Sequence, residues 1–456
     1  MLGSFYAVFL LGTFKDREFW RIVKFMIFVK SIIMKKIDRI RFYFVLLLVF
    51  TGISTLSGYS SNITEANPDI PDNKSLPFII QEIQLSENSE ISLLTCGPGD
   101  AMYSKFGHSA LWVMDPENRI DLIFNYGTFD FSDSNFYYLF LRGIANYRLS
   151  ITNFQGFVEE YETENRFVKK QILNLTSLEK QNLYRILIDN YQPENRYYRY
   201  DFLFLNCSSI IRDRIFDVTN GRFTLSQDSA KTFTFRELLE PYLEQGWVYL
   251  GINLLLSHKA DREASNWETM FLPDHMYEQF SLAKTNNSIQ LAPDRNVSTM
   301  VLSTREAPKK RKHTLTTLLV FLVFALILII SNKRLADKSW HKGIDFAIFF
   351  STGLIGILVA FMWFFSKHEV VHQNLNLMWA FPLHLIFAFI VLFPRLRLFQ
   401  QWYARIFLAL GILFYILAIL GVQVVPTGVL LIASIVLIRL YRISFILPVT
   451  DKIKTE

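Results

Sequence analysis

Cysteine is nearly missing from this chain: two thiols, Cys96 and Cys207, stand among 456 residues. Two cysteines cannot build a zinc-type cluster, and they allow at most one internal disulfide. Charge is sparse too, at 19% of residues. The excess of +6 is modest, and its lysines and arginines flank apolar segments, which is a pattern of membrane topology and excludes a nucleic-acid partner. No internal repeat and no cofactor-binding signature is present. What abounds is apolar and aromatic, with 43 Phe and 20 Tyr. The apolar runs gather at the two ends and the charge in the middle, so the chain reads as neither a soluble enzyme nor an all-membrane transporter.

Near the start, Met34-Lys35-Lys36 with Arg39 and Arg41 precedes the apolar run Phe42–Phe50, and small residues come next at Thr51-Gly52-Ile53-Ser54. A charged region, an apolar core and a small-residue exit predict a secretory signal beginning at Met34, with a retained membrane anchor as the alternative. Residues 1–61 are thus an upstream extension plus signal or anchor, and residues 62–90 are a polar lead-in. Under either alternative, the chain downstream of this segment is exported.

Five apolar spans lie near residues 315–331, 344–365, 378–393, 405–421 and 424–438. Several are at the short end of the roughly 17–25 residues that a bilayer requires. Lys333, Arg334, Lys338 and Lys342 fall in one inside loop, and Arg395, Arg397 and Arg405 in the next. Arg439, Arg442, Lys452 and Lys454 lie beyond the last span, whereas the short outside loops offer only Lys367. The basic run Lys309-Lys310-Arg311-Lys312 falls outside, where a long exported domain overrides it. The middle of the chain is therefore extracytoplasmic and the C-terminus cytoplasmic.

Within the exported part, Ile91–Thr95, Ser109–Met114 and Ile120–Tyr126 read as strands, the last two joined by the turn Asp115-Pro116-Glu117-Asn118. Ser134–Arg142 and Ser177–Asn190 read as helices, with Leu178, Leu183, Ile186 and Leu187 on one face of the second. Ile211, Ile215 and Val218 continue a helix from Cys207 to a C-cap at Asn220-Gly221. Residues 232–280 add helical, aromatic-rich sequence. The boundaries are a catalytic α+β domain over 91–283, a polar linker over 284–314, an all-α membrane domain of five helices over 315–440 and a cytoplasmic tail over 441–456.

Cys207 comes after the apolar stretch Phe202–Leu205 and opens a helix, where the terminal partial charge favours thiolate. His108 sits ahead of another strand, at the mouth of the hairpin. A thiol and an imidazole are the parts that covalent acyl transfer needs. Asn206 is a candidate to frame an oxyanion pocket with the Cys207 N–H. Asn125 and Asp121, on the partner strand, are candidates to orient the imidazole. The alternatives are a core histidine and a structural Cys96–Cys207 disulfide, which the oxidising compartment permits.

Histidine first, then Asn-Cys at a helix start, resembles the circularly permuted papain-like superfamily, which includes NlpC-type amidases and lecithin:retinol acyltransferase-like enzymes. Longer runs resemble Lnb-type lipoprotein N-acyltransferases: Leu93-Leu94-Thr95-Cys96-Gly97-Pro98-Gly99, Tyr103-Ser104-Lys105-Phe106-Gly107-His108 and Asn125-Tyr126-Gly127-Thr128-Phe129-Asp130-Phe131. Asn195-Arg196, Asn206-Cys207, Arg212-Asp213 and Phe271-Leu272-Pro273-Asp274 extend the likeness. The sequence departs from the family's usual Asn-Cys-Thr-Thr or Asn-Cys-Ala-Thr in having Ser208-Ser209, which keeps hydroxyls there. The resemblance implies a papain-like (permuted NlpC-type) domain on a membrane domain, with Cys207 as the acyl-accepting nucleophile and His108 as its base. It further implies a membrane phospholipid as acyl donor, a lipoprotein as acceptor, and a site on the periplasmic side of the inner membrane.

His368-Glu369-Val370-Val371-His372 fits the zincin pattern, but no third ligand is evident and no metal is assigned. The run from His368 through Asn374-Leu375-Asn376 to Trp379 and Pro382 instead resembles the family's membrane-domain motif. Polar groups at membrane depth are functional candidates, so His368, Asn374 and Asn376, with Tyr126, are assigned to substrate binding and His384 is noted beside them. Their alternative role is interhelical hydrogen bonding. The runner-up function is a membrane-anchored cysteine peptidase or amidase acting on cell-wall peptides. A third reading is a non-enzymatic receptor whose cysteines are bridged.

Overall fold

The structure is a computed structural model that describes residues 83–129, 135–225, 232–244, 246–293, 297–305, 308, 313–331 and 341–447. The signal or anchor segment, residues 62–82 of the polar lead-in, Lys309–Lys312, Lys333, Arg334, Lys338, Lys452 and Lys454 lie outside the described residues.

Seven strands form one antiparallel sheet: β1 Glu90–Cys96, β2 His108–Asp115, β3 Ile120–Thr128, β4 Asn146–Thr152, β5 Val168–Ile172, β6 Tyr197–Arg199 and β7 Val297–Val301. Their spatial order is β6-β4-β3-β2-β1-β5-β7. The stretch 284–314, expected as a linker, thus contributes an edge strand in β7. Val301 reaches the core while the adjacent Ser298 and Thr299 are both exposed, so the strand carries no regular alternation to read from sequence.

Among the described residues, six helices of six or more residues belong to this domain: α1 Phe136–Leu141, α2 Phe154–Thr163, α3 Ser177–Tyr191, α4 Cys207–Thr219, α5 Gly246–Leu255 and α6 Pro273–Leu282. Side chains alternate across a strand, so each central strand feeds two cores. Leu94, Cys96, Ala110, Ile123 and Val168 pack under Phe157 and Tyr161 of α2. Leu93, Leu111, Val113 and Phe124 are fully buried on the opposite face, towards α3, α4 and α6. Each such side chain contributes about 1.5–3 kcal/mol on burial. A Thr176–Glu179 capping box starts α3, and Asn220 ends α4 in the left-handed conformation, with Gly221 after it.

The C-terminal part contains α7 Thr314–Ile330, α8 His341–Phe365, α9 His384–Ile390, α10 Arg397–Ile419 and α11 Thr427–Tyr441. Helices of 25, 26 and 20 residues, counted over His341–Phe365, Pro394–Ile419 and Thr427–Ile446, are long and apolar enough to cross a membrane. The third expected span is interrupted. α9 has seven residues, with Pro382 before it and Pro394 after it, because proline supplies no N–H to continue the ladder. It and the turn before it pack tightly on α8: a Cβ at Gly353 would lie 2.2 Å from the Leu385 nitrogen, and one at Gly356 would lie 2.4 Å from the Ala380 oxygen. Only glycine permits backbones to approach so closely.

Arg439 and Arg442, counted from sequence as interfacial charge beyond the last span, turn inward instead. Arg439 Nε lies 2.6 Å from Asp345 Oδ1 and Arg442 Nη1 3.3 Å from Asp345 Oδ2, and all three residues are buried. Arg439 Nη1 also donates to Ser331 Oγ at 2.8 Å, tying α7, α8 and α11. Asp345→Ala strips the counter-charge from two buried guanidiniums and is expected to cost about 3–5 kcal/mol. A lowered unfolding temperature in detergent checks this, and an unchanged midpoint would refute it.

Candidate active site

Asn206 explains why a helix begins at Cys207. Its Oδ1 accepts from Ser208 N at 3.0 Å and Ser209 N at 2.9 Å, and Ser209 Oγ accepts from the Asn206 N–H at 2.8 Å. The Asn206 amide nitrogen donates to the carbonyls of Phe202 and Phe271 at 2.8 and 2.9 Å. Both of its donors are therefore spent, and the oxyanion role read from sequence does not fit this amide. Asn206 caps the helix. The Cys207 N–H, at the first helical position, has no intrahelical acceptor.

Cys207 is partly exposed and Cys96 is buried, and both are free thiols, so the disulfide alternative is not formed. Burial pushes the Cys96 thiol up to about 12. Burial acts on Cys207 in the same direction, but the His108 imidazole, the Ser109 backbone N–H and the Ser208 hydroxyl outweigh it and hold this thiol below its usual range. Burial likewise opposes charge on His108, and Cys207 and Asn125 overcome it, so the imidazole is held above its ordinary value. The two shifts agree in sense, and the pair favours thiolate with imidazolium.

His108 opens β2, opposite Cys96 on β1. The structure places its Nε2 2.5 Å from Asn125 Oδ1, which leaves Nδ1 for the sulfur. Asp121 lies at the far end of β3, where its carboxylate accepts from Trp112 Nε1 at 2.8 Å, so it does not reach the imidazole. Tyr126, assigned to substrate binding, points to the opposite face of β3. It is 3% exposed, and its hydroxyl is held by Asn190 Nδ2 at 2.8 Å.

Gly127 escaped the sequence reading. Its φ is +101°, at the irregularity in the β3–β4 register, and a Cβ there would lie 3.6 Å from both Cys207 Cβ and His108 Cε1. A bulge with glycine leaves open the approach to both reacting groups. Its position inside Asn125-Tyr126-Gly127 was the only available signal. Ser109 and Ser208 were also missed as a unit: their hydroxyls meet at 3.0 Å beneath the sulfur.

The remaining assigned residues join the two parts of the molecule. His368 Nε2 meets the Phe140 carbonyl at 2.9 Å, and its Nδ1 lies 3.7 Å from Asp201, on the loop leading to Cys207. Asn374 Nδ2 donates to the carbonyls of Leu254 and Leu255 at 2.9 Å each, and Asn376 Nδ2 donates to Leu254 O at 3.0 Å. These amides satisfy the orphan carbonyls at the end of α5, so they act as interdomain hydrogen bonds and are not open to substrate. His384 is likewise committed, to the Tyr403 hydroxyl at 2.7 Å and to Trp379 O at 3.1 Å. The zincin pattern lies in a single 3-10 turn at Glu369–Val371, so its histidines do not share a helical face.

Asn125 Oδ1 meets the ring of His108, and its expected role is to position that ring. Asn125→Ala removes an acceptor that favours imidazolium, so the alkaline limb of the activity profile is expected to move to lower pH. Asn125→Asp moves that limb to higher pH. Superimposable profiles would show that the contact is only structural.

Fold and site define a class: a membrane protein whose periplasmic α+β domain sets a free thiol at a helix start beside an imidazole. Residues 79–241 match the Lnb N-terminal periplasmic domain, and residues 310–450 match the Lnb transmembrane domain. The chain belongs to the Lnb family of lipoprotein N-acyltransferase-type membrane proteins. No curated protein and no solved structure matches it significantly.

Proposed function

We propose that this protein moves an acyl chain from a membrane phospholipid, through a thioester on Cys207, to the α-amine of a diacylglyceryl-cysteine at a lipoprotein N-terminus. The observation that carries the reading is the pairing of a thiolate-favoured Cys207 with His108, in a domain joined to apolar membrane helices. The domain is papain-like and the protein multi-pass, with the site at the periplasmic face of the inner membrane.

The Cys207 thiolate attacks the ester carbonyl, and the Cys207 N–H donates to the developing oxyanion. Collapse breaks the ester C–O bond, and imidazolium His108 protonates the departing lysophospholipid oxygen, leaving the thioester. The lipoprotein amine then attacks that thioester. Neutral His108 takes the amine proton as the C–S bond breaks, which restores thiolate and imidazolium.

A peptidase or amidase could use the same pair; the apolar membrane helices joined to the domain favour acyl transfer, because both substrates are then lipids held in the bilayer. The test supplies purified full-length protein with vesicles of acyl-labelled phospholipid. A hydroxylamine-labile label on Cys207, discharged by a diacylglyceryl-cysteine peptide, is expected. A protein that never takes label defeats the reading.

A further inference from the structure

α1 has the sequence Phe-Tyr-Tyr-Leu-Phe-Leu, and none of its six residues is buried. Tyr137 is 70% exposed and Tyr138 50%. Two exposed tyrosine rings on a helix whose other four residues are apolar and only half-buried call for an occupant. Its position indicates which. The Tyr138 ring stands 6.1 Å from Phe361 in the last turns of α8. The Phe140 and Arg142 carbonyls accept from His368 Nε2 and Lys367 N, each at 2.9 Å, immediately beyond the end of α8. Phe364 and Phe365 of α8 are themselves exposed, as lipid-facing residues are. α1 therefore lies alongside the outer end of a membrane helix.

Two further observations choose among lipids. Arg142 closes α1, and its Nε is buried without a hydrogen-bond partner among the described residues. Lys367, joined to it through the backbone, is exposed. Two cations at the bilayer surface fit a phosphate and are wasted on a neutral glyceride. From α1, rings lead towards the sulfur. Phe136 stacks on Phe129 at 4.8 Å, Phe129 meets Tyr147 at 5.0 Å, and Tyr147 stacks on Tyr200 at 4.1 Å. Gly127, two residues before Phe129, lies beside the nucleophile, since a Cβ there would be 3.6 Å from Cys207 Cβ, so the row of rings starts next to the sulfur.

We propose that α1 enters the outer leaflet and takes one phospholipid. Arg142 and Lys367 hold its phosphate, and the Phe136–Phe129–Tyr147–Tyr200 wall guides its acyl chain to Cys207. This rests on the acyl-transfer reading for its purpose, but its test does not. In the Cys207→Ser background, a photoreactive benzophenone side chain replaces Tyr137 or, as a control, the exposed Leu178 of α3. The proteins are placed in vesicles carrying an alkyne-tagged phosphatidylethanolamine or an alkyne-tagged diacylglycerol.

Cross-linking to the phospholipid at position 137 and not at 178 is expected. Arg142→Gln with Lys367→Gln should lower that yield about tenfold without lowering the diacylglycerol yield. Equal capture of both lipids, or indifference to the cation changes, overturns the phosphate assignment. Cross-linking of position 137 to a second copy of the protein, or to nothing, overturns membrane entry. Failure of acyl loading with lipid capture intact would fault the chemistry and leave this site standing. In active protein, Tyr137→Ser with Tyr138→Ser should slow acyl loading from vesicles about tenfold, with the circular dichroism spectrum unchanged.

Discussion

Cys207→Ala is expected to give a folded, membrane-integrated protein that takes no acyl label, with transfer reduced on the order of 10⁶-fold, as when a covalent nucleophile is removed. The fold survives because the helix start is organised by Asn206 and Ser209, and the thiol is not part of that cap. Cys96→Ala is the matched control. That thiol is buried against Tyr161 and held protonated, so its loss should cost some packing and leave loading intact. Full-length protein, labelled phospholipid and mass analysis of the modified peptide suffice. Equal labelling of wild type and Cys207→Ala would sink the thioester, and label on Cys96 would move it.

The second large effect concerns His108. Under the proposed mechanism His108→Ala removes the group that takes and returns the proton, an expected loss of about 10²–10⁴-fold from that step alone. It also removes the main opponent of burial at Cys207, so the thiol should be raised. Thiolate is present above the thiol's pKa, so a raised pKa withdraws thiolate at neutral pH. Alkylation of Cys207 by iodoacetamide should slow in the variant, and its pH profile should move to the alkaline side. An unshifted profile with the fold retained would mean the imidazole does not govern the sulfur. Loss of the fold would mean His108 is a core residue.

The strand spanning Ile91–Thr95, the hairpin after His108 and the helix from Cys207 were legible in the sequence because their signals are local: alternation, a turn, a cap. Sites that depend on partners distant in the chain were not. Asn206 looked like an oxyanion group because nothing local shows that the Phe271 carbonyl takes its amide. Asn374 and Asn376 looked like lipid ligands because the carbonyls they satisfy belong to α5, far upstream. Arg439 and Arg442 looked like surface charge because Asp345 is a different helix away. The edge strand Val297–Val301 was lost in a polar stretch because an edge strand needs only a little burial.

The amino-acid order alone determined that the middle of the chain is exported and its end is greasy, and that one of two thiols opens a helix downstream of a histidine. Those properties come from composition and short-range periodicity, which every segment carries with it. Only the folded molecule decided that Asn125 and not Asp121 meets the imidazole, that Gly127 leaves the approach open, and that an aromatic helix rests beside the end of a membrane span. Each depends on which strand lies next to which and which face it turns, and that is set by burial across the whole chain.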